Sequence, residues 1–209
     1  MHHCDRKRRP DACGRRYETD SIVTALQKIL SNYGKLCGYC DSFFLSIQKQ
    51  YAGELKCRKG CSACCELHSV CALEAHAMTS YCKGRVISQG KGRKARSNCA
   101  LLRRGGCIAY PARPVICRTH GVPLLLDKGN TVASSCRLNF EGRDLRALPQ
   151  AHVLDTAAVT ENLMRLNMAF CMAAGRRELA SERFTMAAVL AGNIPESILN
   201  ATARAIPAA

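Results

Sequence analysis

Four cysteines fall within nine residues, at Cys57, Cys61, Cys64 and Cys65 of the run CRKGCSACC. Burying a hydrophobic core does not require sulfur at that density, so the run points to a shared thiol site. Were the stretch helical, its offsets of 0, 4, 7 and 8 would put all four on one face. Were it a loop, Gly60 would supply the tight backbone path that a metal knuckle needs. Adjacent side chains point in different directions, so the Cys64–Cys65 doublet serves two sites more easily than one. That favours a polynuclear centre or two nearby ions.

The rest of the chain extends the argument. Fifteen cysteines in 209 residues approach the density of a thiol-dependent scaffold. Disulfides and metals are the two uses for so many thiols, and the odd total argues against complete pairing. The N-terminal MHHCDRKRRPDACGRR is charged and lacks the apolar stretch of a secretory signal. The longest aliphatic run, around Val122 to Leu126, is short and contains Pro123, which leaves no membrane span. The expectation is a cytoplasmic chain with reduced thiols, in which metal ligation is favoured over disulfides. Aromatics are only 5% and Trp is absent, so the core must rest on Leu, Ile, Val, Ala and Met, helped by sulfur.

Periodicity predicts a mainly α fold with a short β-hairpin, forming one small metal-centred domain. Residues 1–18 read as a basic disordered tail, 19–195 as the domain with its cluster core at 57–136, and 196–209 as a flexible C-terminal tail. Ile22, Val23, Leu26, Ile29, Leu30 and Tyr33 predict a helix capped at Asp20 or Ser21 and ended by Gly34. A second helix is expected over Leu36 to Tyr51, and further helical stretches over Leu73–Tyr81, Asp155–Met172 and Thr185–Leu190. Gly84 to Gly92 reads as a glycine- and lysine-rich loop. The segment CALLRRGGCIAY reads as two short strands around Arg104-Gly105-Gly106.

A tetrahedral zinc ion takes four ligands, and an iron–sulfur cluster commonly takes four cysteines. Beyond the first run, the hairpin supplies Cys99 and Cys107, the turn between Pro111 and Pro114 delivers Cys117, and Cys136 follows. CRKGCSACC, then the hairpin from Cys99 to Tyr110, then Arg113-Pro114-Val-Ile-Cys117-Arg118, resembles the YkgJ-type CxxCxxCC cysteine-cluster family. The resemblance covers about Cys57 to Cys136, with weaker likeness around Leu163 to Asn167. It departs at Ala100, where the family often has proline. It implies a domain chelating zinc or iron, a [4Fe–4S] cluster being one form of the latter. The ligand set it implies is Cys57, Cys61, Cys64, Cys65, Cys99, Cys107, Cys117 and Cys136. One branch of the family comprises flagellin lysine N-methylases with an iron–sulfur centre. Those chains are considerably longer, so methyl transfer does not carry over.

Other readings stay open. Net charge is +15, and no acidic residue occurs from Ala75 to Leu126, where Lys83, Arg85, Lys91 and further basic residues fall. That stretch suits a nucleic acid or other polyanion, or it offsets thiolate charge, or it is a solvated loop. Cys57-x3-Cys61-x2-Cys64 also matches the spacing of radical S-adenosylmethionine enzymes, although the strands and helices of a partial barrel are missing. Cys37-Gly-Tyr-Cys40 reads as spare thiols at a helix start rather than a redox dithiol, and Cys71, Cys82 and Cys171 as small core residues. His68, His76 and His120 flank the cluster, His120 being the best imidazole candidate. Arg113 and Arg118 are expected to bond thiolates or to pair with carboxylates. Three functions result: a metal-binding protein, an iron–sulfur enzyme of group or methyl transfer, and a basic metal-stabilised nucleic-acid module.

Overall fold

The computed structural model describes residues 10–58, 60–66, 69–83, 99–103, 106–125 and 133–201, with side chains from residue 21 onward except at Ala133. The expected glycine- and lysine-rich loop at 84–92, the turn residues 104–105, and His68 lie outside the described residues. So do the ends at 1–9 and 202–209.

Helix α1 runs unbroken over Pro10–Gln50. Two expected helices are thus one, and Gly34 sits inside it rather than ending it. The helix also begins at Pro10, within the stretch expected as a disordered tail to residue 18. Proline suits a first helical position, where its missing N–H is no loss. Leu26, Tyr33, Cys37, Cys40 and Ile47 are all buried, a single stripe spaced by sevens, fours and threes. A glycine inside a helix costs about 1 kcal/mol relative to alanine, less than a stripe of this length recovers by packing.

The stripe lies against α4, Thr156–Ala173, and against the short helix α3, Val115–Thr119. Asp155 caps α4 by accepting from the Ala158 N–H at 2.9 Å, and Val159, Leu163, Asn167, Phe170 and Cys171 form its buried face. Helix α2, Ala72–Cys82, packs on the α4 side and is buried at Ala72, Leu73, Glu74, Ala75, His76 and Met78. The helices expected at Leu73–Tyr81, Asp155–Met172 and Thr185–Leu190 are α2, α4 and α5, Met186–Ala191.

The domain expected to end at 195 continues further. Helix α6, Glu196–Leu199, carries a fully buried Ile198, and Ala201 is buried as well. The buried His76 ring donates from Nδ1 to the Ile198 carbonyl at 2.6 Å, which ties this end to α2. Polar Glu196 and Asn200 flank those apolar positions, which hid them in the sequence.

Strands are short. Ser69–Val70 pairs antiparallel with Phe184–Thr185. Leu102–Arg103 pairs with Gly106–Cys107 in the expected hairpin, although Cys99 precedes the strand instead of lying on it. Leu124–Leu125 pairs antiparallel with Ala133–Ser134 and parallel with Leu154–Asp155, Leu124 facing Leu154. The sheets among the described residues have two or three strands, so none forms a partial barrel. No described helix is long and apolar enough to cross a membrane.

Candidate metal centre

After α1 the chain makes a run of tight turns rather than a helix. The Leu55 N–H bonds the Tyr51 carbonyl, Cys61 bonds Arg58, and Cys65 bonds Ser62, each within 2.9–3.0 Å. Gly60, at φ 93°, takes the left-handed step between Cys57 and Cys61 that the loop alternative required.

The segment carrying Cys136 is fastened onto this loop. Phe140 donates its N–H to the Glu54 carbonyl at 3.1 Å, and its ring meets Tyr51 edge-on at 5.4 Å. Arg143 grips Glu54 through two hydrogen bonds, at 2.5 and 2.7 Å. Phe140 itself has φ 55°, a conformation a bulky residue rarely adopts and one that only surrounding structure can hold. Asn139 is the rivet. Its Oδ1 accepts from the Lys56 N–H at 2.9 Å, while Nδ2 reaches the Gly121 carbonyl at 2.6 Å and Cys57 Sγ at 3.2 Å.

A second set of contacts gathers the remaining thiols. The Cys99 N–H donates to the Cys65 carbonyl at 2.5 Å, which sets the mouth of the hairpin beside the doublet. Cys107 lies on the returning strand, and Cys117 sits on α3. Helix α3 is held from beneath by buried Glu74, whose Oε1 accepts from the Val115 N–H at 2.9 Å. Arg118 Nη1 pairs with Asp41 of α1, and the same guanidinium donates to the carbonyls of Arg113 and Pro111, both at 2.8 Å. Arg113 also pairs with Asp41, at 3.3 Å, and stacks over Tyr110. Of the two roles expected for these arginines, carboxylate pairing is the one found.

These segments surround one cavity of about 1190 Å³. Cys61, Cys64, Cys65, Cys99, Cys107, Cys117 and Cys136 line it, whereas Cys57 is not among the lining residues and its sulfur accepts from Asn139 Nδ2. His120 and Arg113 also face it. His76 does not, being spent on the Ile198 carbonyl. Cys37 and Cys40 are reduced and buried in mid-helix, not at a helix start, and Cys71 and Cys171 are core residues as expected. Cys82 is partly buried and packs against that core.

Burial is the leading influence on the thiols. It pushes Cys64 up to about 11 and Cys117 to about 12, and it raises Cys57, Cys65, Cys99 and Cys107 as well. Neighbouring thiolates raise all but Cys99 of these further, whereas Arg103 favours the Cys99 thiolate and Arg113 that of Cys107. Burial therefore holds these six thiols toward the neutral form. Among the described residues, no three His, Cys, Asp or Glu side chains stand close enough to hold a metal ion as they are placed.

Asn139, Gly121, Asp41 and Glu74 escaped the sequence reading. Glu74 left a trace, as the last acid before the long acid-free stretch. The other three had no signal short of the fold.

Compared with models of known protein families, with curated proteins and with solved structures, the chain matches none. The resemblance to the YkgJ type therefore stands on the cysteine pattern alone.

Proposed function

We propose that this chain is a metal-binding protein of the YkgJ cysteine-cluster type, chelating zinc or iron through its thiolates. The observation that carries the reading is convergence. Cysteines from the loop after α1, the hairpin, α3 and the segment after Ala133–Ser134 come to one cavity, although Cys61 and Cys136 are 75 residues apart in sequence. Thiols have no mutual attraction that would draw such a set together, and thiolates repel. A cation supplies the missing term, since it takes ligands only as thiolates and lowers their proton affinity on binding. The donor set fits: soft sulfur ligands suit zinc and iron–sulfur centres. When bound, such a centre adds folding free energy, about 10–16 kcal/mol in small zinc modules. That is valuable in a chain whose core has few aromatics.

A second reading, an iron–sulfur enzyme of group transfer, is favoured by the cavity itself. Its volume of about 1190 Å³ exceeds what ions occupy, and its walls include Met78, Leu101, Leu102, Ile116 and Met186. Ligand pockets are commonly of about 300–1,000 Å³ and largely apolar.

Cys61→Ser tests the first reading cleanly, because Cys61 is exposed. An exposed substitution alone changes stability by only about 0.5 kcal/mol. The expected result is loss of metal and of cooperative unfolding together. Full metal content with an unchanged melting temperature would remove Cys61 from the ligand set and overturn the assignment.

A further inference from the structure

The cavity is lined by more than thiols. Tyr110 and Ile116 are large apolar side chains left 46% and 55% exposed, and both face it, as does half-buried Leu102. Exposed apolar side chains scattered singly are ordinary on a protein surface. Three that line one concavity form a wall that an apolar ligand covers better than water does.

The charged lining is one-sided. Three guanidiniums reach the cavity from separate segments: Arg113 after the 3-10 turn Tyr110–Ala112, Arg137 after Cys136, and Arg183 ahead of Phe184–Thr185. Glu66 is the one carboxylate among the described lining residues. Arg113 and Arg118 share the single carboxylate of Asp41, which leaves that trio positive. Arg113 spends Nη2 on Asp41, and its buried Nε has no acceptor among the described residues. Arg183 is held by Ser69, donating from Nη2 to its carbonyl at 2.9 Å. Neither Arg183 nor Arg137 has an ion-pair partner among the described residues, and both are exposed.

We infer that this cavity binds an amphiphilic anion, a small molecule whose apolar body lies on Leu102, Tyr110 and Ile116 while Arg113, Arg137 and Arg183 meet its carboxylate or phosphate. The planar guanidinium fork donates two parallel hydrogen bonds to the oxygens of either head group. An apolar cation would face three like charges, and a neutral chain would leave them without an anionic partner. The volume of about 1190 Å³ has room for such a body. The inference goes beyond the metal-binding reading and does not require it, since none of these six side chains is a thiol.

Octanoate, octyl phosphate, octanol and octyltrimethylammonium share one chain and differ in head group. They are the probes, titrated by calorimetry into the full-length protein purified without oxygen. At least one anion should bind about tenfold tighter than octanol, with the cation weakest, and the tighter anion identifies the head group. Arg137→Gln and Arg183→Gln should each weaken that anion about tenfold and leave octanol unchanged. Arg177→Gln, at an exposed arginine outside the cavity, should change neither. Ile116→Ser should weaken anion and octanol alike. Octanol or the cation binding as tightly as both anions overturns the inference, and so does no binding by any of the four. Anion affinity unmoved by the Arg137 and Arg183 variants, or by Ile116→Ser, overturns it too. Elemental analysis of the same samples reports on metal separately, so either reading can fail without the other.

Discussion

A Cβ placed on Gly121 would lie 2.6 Å from Sγ of Cys57 and 3.1 Å from Nδ2 of Asn139. No real side chain tolerates the first distance, so glycine here gives the candidate ligand its room. The backbone, at φ 106°, favours glycine independently. Gly121→Ala should therefore cost about 1–3 kcal/mol in strain and displace the Cys57 sulfur as well. Gly175→Ala is the control, because φ there is 69° and nothing lies within 4 Å of its Cβ. Both variants should melt earlier than wild type by calorimetry, and only the Gly121 variant should lose metal.

The long helix offers the opposite case. A Cβ on Gly34 or Gly38 would meet nothing within 4 Å, and both backbones are already helical. Gly34→Ala and Gly38→Ala should each stabilise the chain by about 0.5–1 kcal/mol, read as a raised denaturation midpoint with an unchanged slope.

Asp41 links the buried stripe of α1 to the helix carrying Cys117. Arg118 has 9% of its side chain exposed and Asp41 has 38%. Fully buried pairs cost about 3–5 kcal/mol to break, and water at Asp41 reduces that here to about 1–3 kcal/mol for Asp41→Ala. The retained carbonyl contacts of Arg118 should keep α3 folded. The expected signature is a lower melting temperature with metal still bound, measured by calorimetry beside elemental analysis.

What the sequence displayed was periodic or repeated locally. The faces of α2 and α4, the Gly192 stop after α5 and the cysteine run were all legible, because each is written within a few turns of chain. The union of two helices into α1 was not, because Gly34 is a local stop signal outweighed by a packing stripe that runs past it. The burial of Ile198 depends on His76, 122 residues away, and the Asn139 rivet on Gly121 and Lys56. Such pairings leave no mark on either partner alone. The candidate ligands were legible as residue types, and the convergence of seven of them on one cavity emerged only from the fold.

His76 gives the stability a pH dependence. Burial disfavours its charged form and lowers its pKa, against the smaller opposing effect of the Ile198 carbonyl. The unfolded chain, with an ordinary value of about 6.5, then binds the proton more readily. Stability should be full above that value and fall as pH drops from there toward the folded pKa. His76→Asn should flatten this slope. The difference between the two melting-temperature profiles, taken across about pH 7.5 to 5, isolates the histidine from thiol protonation.

The metal content of wild-type protein purified without oxygen tests the central claim most directly. Elemental analysis should find stoichiometric zinc in a colourless protein, or iron with a brown colour and a broad visible band. Cooperatively folded protein that contains neither metal in stoichiometric amount, and takes up none when offered either, would contradict the account.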